Sequence, residues 1–289
     1  MILSPEEREL LPSDDDVAFY RRHGWYVSKK ILPDAVIDEA IRGSERYFAG
    51  ERDATLPISG GYSDWRPGHG EGIRNCEYVA LQNREIRRLV EYPLLGAVAA
   101  RLSGSPVIRL FDDQLIFKPP DASDAASVVG WHTDRAYWLT CTSENMLTAW
   151  VPFHDCPEIM GPVAVVDGSH QWSGTNELRT FKENNLEHIE TRFRETGVPF
   201  VKIPMALQKG QVSFHHCRAI HGSDVNRGSF PRLSLAIHMQ DRANRFRVYR
   251  NEHGIPWRLV NDQLCRQLSD GTPDYTDPEV FPVLWSEGN

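Results

Sequence analysis

A histidine and an aspartate one residue apart, His132 and Asp134, stand inside the aromatic stretch GWHTDRAYW (130–138). Side chains at i and i+2 of an extended segment share a face, so this pair aims an imidazole and a carboxylate at one point. Trp131, Tyr137 and Trp138 would keep that point dry. The motif alone is weak, because a chain with eleven histidines offers such pairs by chance. Two more of the type occur: His69 with Glu71 in a glycine-rich loop, and His188 with Glu190 in a charged helical stretch where both groups are expected in solvent. A third ligand must come from elsewhere, and FHHCRAIHGSDVNRGSFPRLSL (214–235) offers three histidines. His215 and His216 are adjacent, so on a strand one faces the core and the other the wall of a site. His221 follows at a glycine-containing turn, a place where ligands often sit. Two imidazoles and one carboxylate leave three faces of an octahedron open, the facial triad of non-haem Fe(II) chemistry.

Arg232, eleven residues beyond His221, begins the next strand. An oxygenase that consumes 2-oxoglutarate must neutralise that molecule's far carboxylate. A guanidinium fork does so with two charge-assisted bonds, each contributing roughly 1.5–3 kcal/mol. Ser223 offers a further hydroxyl beside it. Two other readings stay open. A Zn²⁺-dependent hydrolase could use the same three ligands to activate water, which gives Arg232 no role. A catalytically silent β-sandwich could bind a small ligand instead. Gln114, Arg135, Tyr137, Trp138 and Asn145 are candidate substrate contacts, each also readable as structural.

The elements that must position these residues change in texture along the chain. SDDDVAFYRR (13–22) reads as a helix, capped by Ser13 or Asp14 with acids at its positive end and stopped at His23-Gly24. WYVSKKIL reads as a short strand. In residues 33–48 Pro33 suits a helix start, and Val36, Ile37, Ala40, Ile41, Tyr47 and Phe48 recur at helical spacing. SGGYSDWRPGHGEGIRN (59–75) is a loop, a lid or a plain surface connection. REIRRLVE and PLLGAVAARLSG are helical, with Gly104 as the stop. From residue 106 short β-rich runs bounded by Gly, Pro and Asp take over, at spacings that suit a sandwich or barrel. TFKENNLEHIETRFRE reads as a solvated helix among them. The expected fold is mainly β with flanking helices, its strands packed as two sheets of a jelly roll. One domain is expected over residues 1–289: a helical part to about 105, a β core over about 106–242, and a polar extension over 243–289.

Bulk properties narrow the classes. The 289 residues are 40% hydrophobic and 25% charged, enough to bury a core of normal size. A net charge of −8, with no run of five like charges, argues against a nucleic-acid partner. Five scattered cysteines without a C-x-x-C pair argue against a disulfide framework or a cysteine zinc site. MILSPEEREL is short and acidic where a secretory signal needs positive charge, so no such signal is expected, and no apolar run reaches bilayer length. A cytoplasmic protein with a small-molecule partner, no membrane, and a monomeric or homodimeric state is expected.

The blocks WHTD, GPVAVVDGSHQ and IHGSDVNRGSFPRLSL, in this order and spacing, resemble the phytanoyl-CoA dioxygenase family of Fe(II)/2-oxoglutarate-dependent oxygenases. FYRRHGWYVSKKILPDAVIDEA resembles that family's opening helix–strand–helix. The resemblance covers about residues 15–242. It implies a double-stranded β-helix using Fe(II), 2-oxoglutarate and O2 to oxidise a C–H bond, with succinate and carbon dioxide released. It implies that His132, Asp134 and His221 are the metal ligands and the catalytic set. It places Arg232 and Ser223 on the cosubstrate, Trp150 of LTAW in the wall of the cosubstrate pocket, and Lys118 of FKPP where several members carry a cosubstrate lysine. Halogenating relatives lack the carboxylate that Asp134 supplies. Asp167 stands in VVDGSH where the family usually shows proline. No basic cluster awaits the phosphates of an acyl-CoA, so a small polar metabolite is expected, as in the tailoring of natural products. Hydroxylation, epimerisation, desaturation and cyclisation all use the same iron set.

Overall fold

The computed structural model describes residues 2–70, 72–120, 127–175, 178–183 and 185–287. In the N-terminal part, α1 (Pro5–Arg8), α2 (Asp14–His23), β1 (Trp25–Val27), α3 (Asp34–Phe48), β2 (Arg74–Glu77), α4 (Arg84–Val90) and α5 (Pro93–Ser103) follow in order. Then come β3 (Val107–Lys118), β4 (Val129–His132), β5 (Leu147–Pro152), β6 (Ala164–Val166), α6 (Leu186–Glu195), β7 (Lys202–Pro204), β8 (Ser213–His216), β9 (His221–Ser223), β10 (Arg232–Asp241), α7 (Asn261–Leu264) and β11 (Val283–Ser286).

Local chemistry accounts for the helix ends. The Ser13 side chain accepts from Asp16 N–H while Asp16 reaches back to Ser13 N–H, a reciprocal cap. Gly24 closes α2 at φ 80°, a conformation that costs a side-chain-bearing residue more than glycine. Gly104 ends α5 in the same way at φ 70°. Pro33 is the N-cap of α3 rather than its first helical residue.

All strand pairs are antiparallel. β1-β8-β5-β10-β3-β11, with β2 also on β3, form a seven-stranded sheet, and β4-β9-β6-β7 form a four-stranded one. The large sheet has two unlike faces. Phe214, Ala149, Ile237, Val151 and Leu235 point outward and join Ile37, Tyr47, Leu89, Leu95 and Val98 of the helices in one core. The inner face is polar, and its residues align in rows across the strands. One row runs His215–Thr148–His238–Asp112, and the next Ser213–Trp150–Ala236–Gln114–Glu77. Arg232 and Lys118 are opposite each other near the far end of β10 and β3.

Several expectations change. The strand expected over WYVSKKIL is confined to Trp25–Val27. Residues 74–75 belong to β2 rather than to the glycine-rich loop, because they pair with β3. The C-terminal extension is no polar tail. β11 pairs with β3, and Tyr275 and Phe281 pack on Phe111 in a second core. The helix expected in solvent is amphipathic: Ile189 and Glu190 of α6 are buried.

Candidate metal centre

His132 and His221 are direct partners across the β4–β9 pair, with ring centroids 4.2 Å apart. Such cross-strand partners hold side chains close by construction. Thr133 keeps an extended backbone, so Asp134, at the start of a 3₁₀ turn, falls on the same side as His132. One ligand atom from each of His132, Asp134 and His221 lies within 4.8 Å of the others, and all three residues are buried. His221 Nε2 is 3.5 Å from Asp134 Oδ1.

The tautomers follow from what surrounds the rings. His132 Nδ1 is 2.7 Å from the Gly130 carbonyl and His221 Nδ1 is 3.0 Å from the Ala219 carbonyl. A carbonyl only accepts, so each Nδ1 carries the proton and each Nε2 presents a lone pair. Burial lowers both imidazoles below their ordinary value, His221 to about 4, which keeps them neutral as a metal requires. Burial alone would raise Asp134, but His221, His238 and His215 outweigh it and hold the carboxyl well below its usual range. The Thr148 hydroxyl donates to Asp134 Oδ2 at 2.6 Å and accepts from His238 Nδ1 at 2.7 Å. Two lone-pair nitrogens and an orientated carboxylate, all dry, fit a divalent iron.

Beside this cluster lies a small chamber of about 40 Å³, lined by Trp150, Ser223 and Arg232 as well as the three candidate ligands. Arg232 is 1% exposed, and its guanidinium donates to the Gly161 carbonyl and sits 5.5 Å from the Trp150 ring. Among the described residues its Nε has no hydrogen-bond partner, nor does Trp150 Nε1. Lys118 is fully buried, with Nζ 2.7 Å from Ser223 Oγ and 2.5 Å from the Asp224 carbonyl. Burial pulls Arg232 down to about 10. Burial and the neighbouring Arg232 pull Lys118 well below its ordinary value. No carboxylate pairs with either cation among the described residues. Asp224 offsets the Lys118 charge only in part, two dry cations without a salt-bridged acid are costly, and a dicarboxylate reaching in from the metal would supply the missing charge.

On the other side the cluster opens into a cavity of about 580 Å³, which His132, Asp134 and His238 share with Glu77, Asp112 and Gln114. Phe181 packs edge-on against His132 at 5.0 Å. Gly130 allows this: a Cβ there would meet the Thr180 carbonyl at 1.9 Å, so only glycine lets the 178–183 segment pass so close.

The sequence-predicted residues therefore divide. His132, Asp134, His221, Arg232, Ser223 and Trp150 line one chamber, and Lys118 reaches it through Ser223. Gln114, Tyr137 and Trp138 line the larger cavity. Arg135 is buried and spent on the carbonyls of Trp138 and Cys141, and exposed Asn145 bonds to the Ser103 carbonyl, so neither reaches the site. His215 faces the cluster, with Nε2 3.6 Å from Asp134 Oδ2, whereas His216 turns the other way towards Tyr20 and His170. His69 and His188 stay in exposed segments. Glu71 lies outside the described residues. Glu190, expected in solvent, instead accepts from Trp131 Nε1 at 3.2 Å and pairs with Lys202 and Arg194. Asp167 has a local purpose: it accepts from Trp25 Nε1 and pairs with His23 Nδ1, both at 2.8 Å, tying α2 to the small sheet. Sequence reasoning missed Thr148, His238, Glu77 and Asp112. A period-two signal existed for His238, which shares its face of β10 with Arg232 six residues earlier.

The sequence profile described as phytanoyl-CoA dioxygenase matches residues 20–234. The human peroxisomal phytanoyl-CoA dioxygenase is 23% identical over 229 residues, covering 76% of this chain and 66% of its own. The chain thus spans about two thirds of the length of that relative. Among solved structures, the non-haem α-ketoglutarate-dependent carbocyclase SnoK from nogalamycin biosynthesis superposes with a TM-score of 0.69 at 22% identity, covering 94% of this chain and 96% of its own. The epimerase SnoN, solved with Fe3+, α-ketoglutarate and nogalamycin RO, gives 0.67 at 24%, covering 94% and 98%.

Proposed function

The chain belongs to the phytanoyl-CoA dioxygenase family of 2-oxoglutarate-dependent non-haem iron oxygenases, and from that premise we propose that it oxidises a C–H bond of a small polar metabolite. Its two antiparallel sheets form a double-stranded β-helix, and the chain works as one oxygenase domain, as a monomer or homodimer. No helix among the described residues is long and apolar enough to cross a membrane.

His132 and His221 offer Nε2, and Asp134 a carboxylate oxygen, to Fe(II). When bound, iron, 2-oxoglutarate and O2 supply the oxidising power, with succinate and carbon dioxide as co-products. The protein's own residues do the rest. Thr148 and His238 fix the Asp134 carboxylate. Arg232 and Lys118 hold the far carboxylate of 2-oxoglutarate, with Ser223 between them. Trp150 walls that pocket and Phe181 covers His132, so bulk water is kept from both. The substrate enters the larger cavity and meets the metal past Gln114 and His238. Tailoring of a natural-product scaffold is the substrate range this reading favours, given that SnoK and SnoN act in nogalamycin biosynthesis.

The observation that carries this reading is the pair of buried cations beside the His–Asp–His cluster, neither of them salt-bridged to an acid among the described residues. A hydrolase on the same ligands leaves them without work. The test is succinate release from 2-oxoglutarate by the purified, Fe(II)-loaded protein, with and without O2. Release that requires both Fe(II) and O2 is expected. Absence of release, together with ester or amide hydrolysis supported by Zn²⁺, would contradict it.

A further inference from the structure

Resting on the oxygenase reading, we propose that the substrate is a small molecule with one protonated amine, seated on the carboxylates of Glu77 and Asp112 in the larger cavity. Asp112 is opposite His238 on the inner face of the sheet, Gln114 is two residues along, and Glu77 is opposite Gln114. The two acids thus continue the face that carries the metal cluster, and both line the cavity that reaches His132 and Asp134.

Their hydrogen-bond partners are neutral donors, and the one cation whose charge reaches Glu77 is exposed Lys182. Glu77 accepts from Ser63 N–H at 2.6 Å and Gln114 Nε2 at 3.2 Å, and Asp112 from Asp113 N–H at 2.6 Å. No ion pair engages either acid among the described residues. Adjacent Asp113 shows what a structural acid looks like: it faces the opposite side and caps Val79 and Ala80 N–H at 2.9 and 3.1 Å. Burial raises the carboxyls of Glu77 and Asp112, and Glu77 raises Asp112 further. A cation placed between them relieves both effects. Tyr78, next to Glu77 in the cavity wall, is the one non-glycine residue with positive φ among the described residues, at 58°. Such strain persists where the surroundings over-determine it, and it clusters at ligand sites. Exposed Arg179, Lys182 and Arg258 also line the cavity. They repel a polycation, which favours a single amine over a polyamine.

The test titrates Fe(II)- and 2-oxoglutarate-loaded protein, without O2, with ethanolamine, tyramine and D-glucosamine, each beside its N-acetyl partner, and with spermidine. Thermal shift and perturbation of the metal-to-oxoglutarate visible band are the readouts. At least one monoamine is expected to raise Tm and perturb the band, whereas the N-acetyl partners and spermidine do neither. Glu77→Gln, which keeps an acceptor for Ser63 N–H, and Asp112→Asn should each weaken that response about tenfold or more while the band itself stays. Silence from every amine, an equal response to the acetylated partners, or an undiminished response in both variants would overturn the proposal. Absence of the visible band in the unmutated protein would instead contradict the oxygenase reading on which it rests.

Discussion

The inner face of the large sheet carries unpaired charge of opposite sign at its two ends. At one end Arg232 and Lys118 are buried with no salt bridge to an acid among the described residues, and at the other Asp112 and Glu77 line a cavity whose cations, Arg179, Lys182 and Arg258, are exposed and form no salt bridge with either acid. The two ends cannot neutralise one another. Asp112 and Lys118 are six residues apart on β3, about 20 Å along an extended strand, with the His–Asp–His cluster between. A fold selected for stability alone would pair or remove such charges, since replacing buried ions with apolar side chains is often neutral or stabilising. On the proposed reading, their separation gives each end its own ligand: an anion that chelates metal on one side, and a cationic group on the other.

The largest effect comes from removing the centre that the two ends flank. His132→Ala or Asp134→Ala should abolish succinate release and the anaerobic visible band together. Residual turnover above a few per cent would separate the band from the chemistry. Next is the cationic end. Arg232→Ala removes up to two charge-assisted bonds and should raise the 2-oxoglutarate requirement about a hundredfold, from roughly 1.5–3 kcal/mol per bond. An unchanged requirement would remove Arg232 from the cosubstrate site. Lys118→Met should raise the requirement less, about tenfold, and should not lower Tm without ligand, because a dry cation is replaced by an apolar chain of similar length. A lower Tm would mean that Lys118 serves the fold instead.

The smallest effect contrasts the two faces through adjacent residues. His216, on the face opposite His215, is held neutral by burial and then by His170, its pKa lowered from 6.5 to about 3. A group with a depressed folded pKa of this cationic type contributes stability that is complete above 6.5. That stability is lost as pH falls towards 3, because the unfolded chain takes up the proton first. His216→Gln should flatten the fall in Tm between pH 7 and pH 4.5 (an approximate range set by that window) without moving the visible band. A band that disappears would show that the two faces are coupled.

Legibility from sequence followed the same division. His132 and Asp134 were legible because a period-two rule and an aromatic setting are local. His221, Arg232 and Ser223 were legible because their spacing in one block repeats a family pattern. The acid end was not. Asp112-Asp113 reads as a surface pair, and nothing local says which of the two turns inward. Glu77 follows a glycine-rich loop, and its place beside Gln114 depends on the β2–β3 register, which a sequence without a tight turn leaves open. The C-terminal residues were misread because their apolar anchors, Tyr275 and Phe281, are isolated among polar neighbours and find Phe111 only in the folded chain. Helices were the most readable elements, with Ser13, Gly24 and Gly104 marking their ends by chemistry alone.

One titration bears on the central claim most directly: adding 2-oxoglutarate to the Fe(II)-loaded protein without O2 while recording visible absorption, in parallel on the unmutated chain and on Arg232→Ala. A saturable band at one equivalent of metal, formed by the unmutated protein and displaced to much higher 2-oxoglutarate in the variant, is the predicted result. No band in the unmutated protein, or identical titrations of the two proteins, would contradict the account.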